Sequence, residues 1–349
     1  MPRMRDLFAR SAFCLGPYVE EFERGFAGYC GVKHALGVNN GTSALHLALI
    51  AAEIGRGDKV LVPASTFVAT AWAVLYVGAE PVFCDVEEAT ANLSVADAER
   101  RMDRSVKAVM PVHLYGQPAD MAPILAFADR HKLVVIEDAA QAHGARYGNR
   151  RAGGFGRLAG FSFYPGKNLG AAGEGGAVTT DDPDLAKRIA ALRNHAQSER
   201  YVHAELGFNY RMEGIQGLVL AEKLKHLDAW TDMRRAVARR YLEGLRGLPL
   251  ALPTPTGEDH VYHLFVIRTA ERDKLRHHLD KAGIQTGLHY PVPLHRQPCF
   301  AHLRIDRHNY PVADRWASQG LSLPIFPGMT EEQTESVIRA VGSYFKSGR

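Results

Sequence analysis

Short apolar runs alternate with stretches of helical periodicity from about residue 35 to about residue 200. Ala35–Val38, Lys59–Val62, Pro81–Val86, Ala108–Val112, Leu133–Glu137, Ala159–Phe163 and Gly176–Thr180 read as strands. Between them, Thr42–Glu53, Val68–Gly78, Met121–His131 and Pro183–Asn194 carry apolar residues at helical spacing. Alternation of this kind predicts an α/β fold: a three-layer αβα domain around a mostly parallel, seven-stranded sheet with helices on both faces. A longer helical pattern, rich in Leu, Ala, Lys and Arg, runs from Glu213 to about Leu245 and suits a bridge between two domains.

After Gly247 the pattern changes. Leu248 to Gly257 is a proline-rich connector. His260–Arg268, Gln285–Leu288 and Leu321–Pro324 read as strands, with helices near Glu271–Ala282 and Glu331–Phe345, which makes a smaller C-terminal α+β unit. The expected division is residues 1–24 as an N-terminal segment packing with the small domain, 25–222 as the large domain, and 223–349 as bridging helix plus small domain.

Composition narrows the classes. A chain of 349 residues that is 46% hydrophobic can bury a large core and still furnish a second unit. The formal charge of +4 is mild and its basic residues are dispersed, so nucleic acid is not the expected partner, whereas an anionic small molecule suits the surplus. Cys14, Cys30, Cys84 and Cys299 are widely separated, without a CxxC pair. They point to buried thiols in a reducing compartment, the cytoplasm, and to no zinc or other metal site. The first residues lack the apolar core of a signal peptide. Val60 to Ala79 is uncharged, yet Pro63 and the Ser65-Thr66 pair divide it into strand, loop and helix, so no membrane span is expected.

Candidate chemistry centres on Lys167. The strand-like Phe161-Ser162-Phe163 ends at Tyr164, a Pro165-Gly166 turn follows, and the lysine comes next. A lysine held there is partly desolvated, which lowers its pKa and frees the amine for Schiff-base chemistry. Val134-Val135-Ile136-Glu137-Asp138 would deliver a carboxylate to a strand end. An amine for an imine and a carboxylate for a pyridinium nitrogen are what pyridoxal phosphate (PLP) needs most. Gly41 permits a turn, and Thr42 and Ser43 then place hydroxyls and backbone N–H groups at a helix N-terminus, a phosphate site. Phe67 follows a strand and a polar loop, where a flat side chain can stack on a ring. Among sixteen histidines, His289 stands apart because His289-Tyr290-Pro291 follows a short strand and enters a proline-rich turn. Asn209 and Arg211, at the start of a helical pattern, could grip phosphate oxygens. Neither common nucleotide fingerprint is met: Gly154-Phe155-Gly156-Arg157-Leu158-Ala159 precedes a strand, and Gly160 to Lys167 has one residue too many for a P-loop.

In this order the segments GTSALHLAL, STFVATA, PVHLYGQ, EDAAQAHGA, FSFYPGKNLG, GEGGAV, GFNYRM, HYPVPLH and LSLPIFP resemble the PLP-dependent nucleotide-sugar aminotransferases of the DegT/DnrJ/StrS type, of fold-type I. The likeness spans nearly the whole chain. It implies that Lys167 forms the Schiff base, that Asp138 pairs with the ring nitrogen and that Gln141 meets the ring hydroxyl. Phe67 would be the stacking aromatic, and Thr42, Ser43 and Ser162 the phosphate contacts. Asn209 would reach the phosphate from the neighbouring subunit of a homodimer. Tyr164, Arg211, His289 and Tyr290 fall where the family contacts the sugar or its diphosphate. The implied activity is a ping-pong transfer of the amino group of L-glutamate, through the pyridoxamine phosphate form, to a keto group of a nucleotide-linked sugar. C3 is the expected position and C4 the alternative. A PLP-dependent dehydratase is disfavoured because such relatives carry His at the lysine position, and a non-catalytic regulator because Lys167, Asp138 and Asn209 are all present. Two departures stand out: a short N-terminus, and Trp72 where the family often has Asn.

Overall fold

The computed structural model describes residues 2–254, 259–303 and 305–347. Its central sheet contains β1 (His34–Val38), β2 (Lys59–Pro63), β3 (Glu80–Cys84), β4 (Val106–Val109), β5 (Val134–Asp138), β6 (Leu158–Ser162) and β7 (Gly176–Thr180). Their order is β1-β7-β6-β5-β4-β2-β3. Only β7 is antiparallel to its neighbours; the other pairs run parallel. The helices are α1 (Pro2–Ala9), α2 (Pro17–Cys30), α3 (Gly41–Ala51), α4 (Ala69–Tyr76), α5 (Val95–Arg100), α6 (Met121–His131), α7 (Pro183–Leu192), α8 (Gly214–Leu224), α9 (Leu227–Gly244), α10 (Arg272–Lys281), α11 (Pro311–Gln319) and α12 (Glu331–Ser347).

Why the strands are almost continuously apolar follows from the layers. Side chains alternate across a strand, and both faces of this sheet are covered. Val60 and Val62 join the core under α3, α4 and α7, whereas Leu61 between them joins Phe127 and Ile124 of α6 on the other side. Phe161 and Phe163 meet Phe22 and Phe26 of α2 edge to face, with ring centres 4.9–5.3 Å apart.

The second core is built from Val237 and Tyr241 of α9, Leu275 and Leu279 of α10, Val341 of α12 and the antiparallel pair β8 (Phe265–Arg268) and β9 (Gly320–Leu323). Here the structure corrects several expectations. The Glu213–Leu245 pattern is two helices, because α8 packs on α2 while α9 turns to the second core. The chain breaks at Lys225–His226, where His226 N bonds the Lys223 carbonyl in a tighter turn. Only the last part of His260–Arg268 is strand: Val261 N and Leu264 N bond the carbonyls of Gly116 and Tyr115 instead of a sheet partner. Gln285–Leu288 contributes a single bridge, Gly287 to Ser322. Pro255, Thr256 and Gly257 of the connector lie outside the described residues.

Residues 1–24 were expected on the small domain. Of these, the described residues 2–24 pack on the large one. Leu7 and Tyr18 bury against Leu218 of α8, Arg3 pairs with Glu21 and Glu222, and α2 packs along α8 and β1. The apolar face of α2, with Val19, Phe22 and Phe26, finds its matching surface there. In the opposite direction, Leu294, Phe300, Tyr310, Ala313 and Trp316 return from the C-terminal half to the core of the large domain. Asp85, just past β3, accepts Val312 N at 3.0 Å and Ala313 N at 2.8 Å and so caps α11 across the junction. This return places His289 and Tyr290 over the strand ends of the central sheet.

Candidate active site

In a parallel α/β sheet, residues just beyond the strand ends face a shared crevice. Asp138 closes β5, and its backbone N–H bonds the Pro111 carbonyl. Its carboxylate is buried. Oδ1 accepts Ala140 N at 3.1 Å, and Oδ2 accepts the Thr70 hydroxyl at 2.7 Å. Burial pushes this carboxyl above its ordinary range, opposed by Thr70, the Ala140 N–H and the positive charges at Lys167 and His113.

Lys167 follows β6 through a turn closed by its own N–H on the Tyr164 carbonyl at 2.8 Å. Burial lowers its amine from 10.5 to about 8, although the negative charge of Asp138 pulls the other way. The direction is the one expected from the Pro-Gly setting, and Asp138 supplies the charge that opposes it.

The N-terminus of α3 meets the end of β6 beside them. Asn40 caps the helix by accepting Ser43 N at 2.8 Å, and the first N–H groups of a helix have no intrahelical partner. Gly41 is required by contact. A Cβ there would stand 2.6 Å from the Ser162 Cβ and 3.1 Å from its Cα. That approach gathers Thr42, Ser43 and Ser162 around one helix end, a donor set suited to a dianionic phosphate.

These residues line one cavity of about 1030 Å³, together with Phe67, Gln141, Tyr164, His289 and Tyr290. Phe67, whose chemistry alone suggests core, is 51% exposed, and its ring lies 5.6 Å from that of Tyr290. Gln141 is fixed in orientation. Its Oε1 accepts Tyr115 N at 2.7 Å, so its Nε2 is the donor to the Tyr290 hydroxyl at 3.0 Å. His289 Nδ1 lies 2.8 Å from Ser322 Oγ, and its backbone carbonyl accepts the Tyr115 hydroxyl.

Two sequence candidates fall outside this lining. Arg211 donates from Nη1 to Asn194 Oδ1 at 2.9 Å, and Asn209 bridges to Asn194. Tyr210 between them does line the cavity. Consecutive side chains of an extended segment point to opposite sides, so Asn209 faces away from its own chain's crevice.

Sequence reasoning missed several lining residues. Thr66 sits in the STFVATA segment with Thr70, a buried hydroxyl pair at i, i+4 that the apolar flanks hide. His260 is a core histidine, buried with its ring stacked on Tyr262 at 4.0 Å. His263 lines the cavity, and its Nδ1 lies 3.2 Å from Asn168 Oδ1. Asn168 Nδ2 already donates to the Val261 carbonyl, so His263 Nδ1 is the protonated nitrogen. Glu174 and His46 also reach the lining. Trp72 does not; it packs part-buried on the large core. Of the four thiols, Cys30 and Cys84 are buried as expected, whereas Cys14 and Cys299 are exposed. Among the described residues no helix is long and apolar enough to cross a membrane, and no group of His, Cys, Asp and Glu could hold a metal ion.

Known proteins are similar to this chain over nearly its whole length. The dTDP-3-amino-3,4,6-trideoxy-alpha-D-glucose transaminase of Streptomyces venezuelae is 48% identical over 331 residues, which is 94% of this chain and 87% of that protein. The UDP-N-acetyl-3-dehydro-alpha-D-glucosamine 3-aminotransferase of Acidithiobacillus ferrooxidans is 46% identical over 332 residues, 95% and 89% of the two chains. Among solved structures, that of S. venezuelae DesV in complex with a ketimine intermediate is similar at a TM-score of 0.96 and 46% identity, covering 98% of this chain and 93% of that one. The sequence matches the DegT/DnrJ/EryC1/StrS aminotransferase family over residues 1–342, and the chain belongs to that family.

Proposed function

We propose that this chain is a PLP-dependent transaminase that moves the amino group of L-glutamate to the C3 ketone of a nucleotide-diphosphate-linked sugar. The observation that carries the reading is one cavity holding a lysine amine lowered to about 8, a buried carboxylate and a helix N-terminus ringed by hydroxyls. The residues present fit the cofactor. The Gly41–Ser162 approach makes a phosphate cradle that a Cβ would fill, Phe67 offers a half-exposed flat ring, and the cavity has room for cofactor and substrate together.

When bound, PLP supplies an electron-accepting ring that stabilises negative charge on the carbon bearing the reacting amine. The chain's own groups do the rest. Thr42, Ser43 and Ser162 bind the phosphate. Phe67 stacks on the ring and keeps water from one face. The Asp138 carboxylate holds a proton on the ring nitrogen. Gln141, with its amide turned as described, donates toward the ring oxygen. Lys167 Nζ would anchor the cofactor and, once released, would take the Cα proton of glutamate as a neutral amine and give it up again as an ammonium. A pKa near 8 suits both directions. His263, protonated at Nδ1 and held neutral by burial and by the charge of Lys167, presents an acceptor nitrogen without adding positive charge.

Asn209 supports a shared site. Since it points away from its own crevice, it serves the cavity of a second copy, which makes the working unit a homodimer. Tyr164, His289 and Tyr290 line the cavity and would contact the sugar or its diphosphate; Arg211, outside this chain's lining, would meet the diphosphate only in the shared site of a dimer. C3 is favoured over C4 because the relatives described above are named for 3-amino sugars. The four free thiols suit a reducing compartment such as the cytoplasm.

The test is a panel of 3-keto and 4-keto sugars linked to dTDP, UDP or GDP, each with PLP-loaded protein and L-glutamate, with the aminated carbon assigned by NMR. The reading predicts 2-oxoglutarate release and nitrogen at C3. Amination at C4 alone overturns the position, and no 2-oxoglutarate with any acceptor overturns the activity.

A further inference from the structure

Asp138 does not rest on charge alone. Its Oδ2 accepts the hydroxyl of Thr70 at 2.7 Å, and Thr70 is completely buried. The same Thr70 oxygen lies 3.0 Å from Thr66 Oγ1 and 3.1 Å from the Phe67 carbonyl. A hydroxyl has one proton to give. Among the three acceptors in reach, Asp138 is the nearest and the only one that carries charge, so it receives the Thr70 proton. Thr70 is then left with an unused lone pair toward Thr66, whose hydroxyl becomes the donor. The direction of the chain is thereby fixed as Thr66 to Thr70 to Asp138.

Local structure explains how two threonines come to stand in line. Thr66 lies in the loop between β2 and α4, and Thr70 lies in the first turn of α4, four residues on. Phe67 sits between them with its ring in the cavity and its carbonyl against Thr70. One short segment therefore supplies both the flat ring and the donor to the carboxylate. Other groups that face Asp138 are the Ala140 N–H on Oδ1, Lys167, His113 and the Tyr290 hydroxyl. Among the described residues, Thr70 is the side chain that donates to Oδ2.

We propose that Thr66 and Thr70 form a hydroxyl relay that positions the Asp138 carboxylate and keeps it anionic, so that it can hold the proton on the cofactor's ring nitrogen. Both threonines are positioning residues: they act through Asp138. The inference rests on the role proposed for Asp138 above. A donor chain strengthens along its length, so Thr66 matters through Thr70 even though it does not touch the carboxylate. Without the chain, the desolvated carboxyl loses a donor that favours its anionic form, so it titrates higher and holds the ring nitrogen's proton less well.

The experiment compares Thr70→Val, which keeps the shape and removes the hydroxyl, with Thr70→Ser, which keeps the hydroxyl, and with Thr66→Val. The first readout is the Asp138 carboxyl titration in cofactor-free protein, followed by carbon-13 NMR and assigned by its disappearance in Asp138→Asn. Thr70→Val should raise the midpoint by about one pH unit or more, Thr66→Val by less, and Thr70→Ser should leave it near that of the parent. The second readout is the single-turnover rate of the PLP-loaded protein with L-glutamate. It should fall at least about tenfold in Thr70→Val and recover in Thr70→Ser. If Thr70→Val does not fold, Thr66→Val and Thr70→Ala carry the same comparison.

A lower melting temperature with an unmoved Asp138 titration overturns the relay, because that is what a merely structural pair of threonines would give. A shifted titration with unchanged glutamate turnover overturns its part in catalysis. A protein that never takes up PLP fails the functional reading instead, and the cofactor-free titration tells that failure apart from the others.

Discussion

Trace acetylation of the cofactor-free protein tests the electrostatics of Lys167 in isolation from the reaction. Burial sets the amine at about 8 where an ordinary lysine titrates at 10.5. At pH 7 an amine of pKa 8 is about 9% neutral, against about 0.03% for an unperturbed lysine, a ratio of about 300. Only the neutral amine attacks acetic anhydride, so labelling of Lys167 at pH 7 should exceed that of an ordinary exposed lysine by up to roughly that factor, less what its lower basicity takes from its nucleophilicity and what limited access removes. The profile should rise with pH and flatten just above 8. The sign of the neighbouring charge gives a second arm. Asp138 raises the Lys167 pKa, so Asp138→Asn removes that support and the inflection must move further down. The assay is mass-spectrometric quantification of each acetylated peptide across about pH 6 to pH 11, normalised to a free amine of known pKa. Labelling of Lys167 that still climbs through pH 10 refutes the desolvation argument. An inflection that rises in Asp138→Asn refutes the assigned pairing.

Three further outcomes follow from contacts described above. Gly41→Ala forces a Cβ against the Ser162 backbone, so it should cost about 1–3 kcal/mol in urea unfolding and weaken PLP binding at least about tenfold, measured by equilibrium dialysis. Phe67→Ala removes a half-exposed ring, so stability should change by less than about 0.5 kcal/mol while PLP affinity still falls; a protein destabilised without loss of affinity would make Phe67 a packing residue. Asp85→Ala strips the cap from α11 and should lower stability by about 2 kcal/mol with an unchanged urea slope, leaving the distant Lys167 labelling profile as it was.

The parts of the site that could be read from sequence were those whose chemistry is declared locally. Lys167 after Pro165-Gly166, and Asp138 at the end of a valine-rich run, each announce a reactive group at a strand end. The α3 phosphate cradle announces itself by Asn40-Gly41-Thr42-Ser43, although why Gly41 is needed emerges only from its contact with Ser162. What could not be read depends on neighbours distant in the chain. Thr70 becomes a partner of Asp138 only because the sheet brings the loop after β2 beside the end of β5. The break between α8 and α9 leaves apolar spacing intact, and it exists because two different cores claim the two halves. His263 is indistinguishable from His260 by spacing; what separates them is that one faces Tyr262 and the other the cavity. The N-terminal segment went to the large domain because α8 offers the apolar surface that matches α2, and helix periodicity gives no information about which partner surface that will be.

The central claim is covalent, and borohydride reduction of the PLP-loaded protein tests it most directly. After reduction and digestion, the phosphopyridoxyl mass should lie on the peptide that contains Lys167, and Lys167→Ala should retain none. The mass on another lysine, or its retention in Lys167→Ala, contradicts the account.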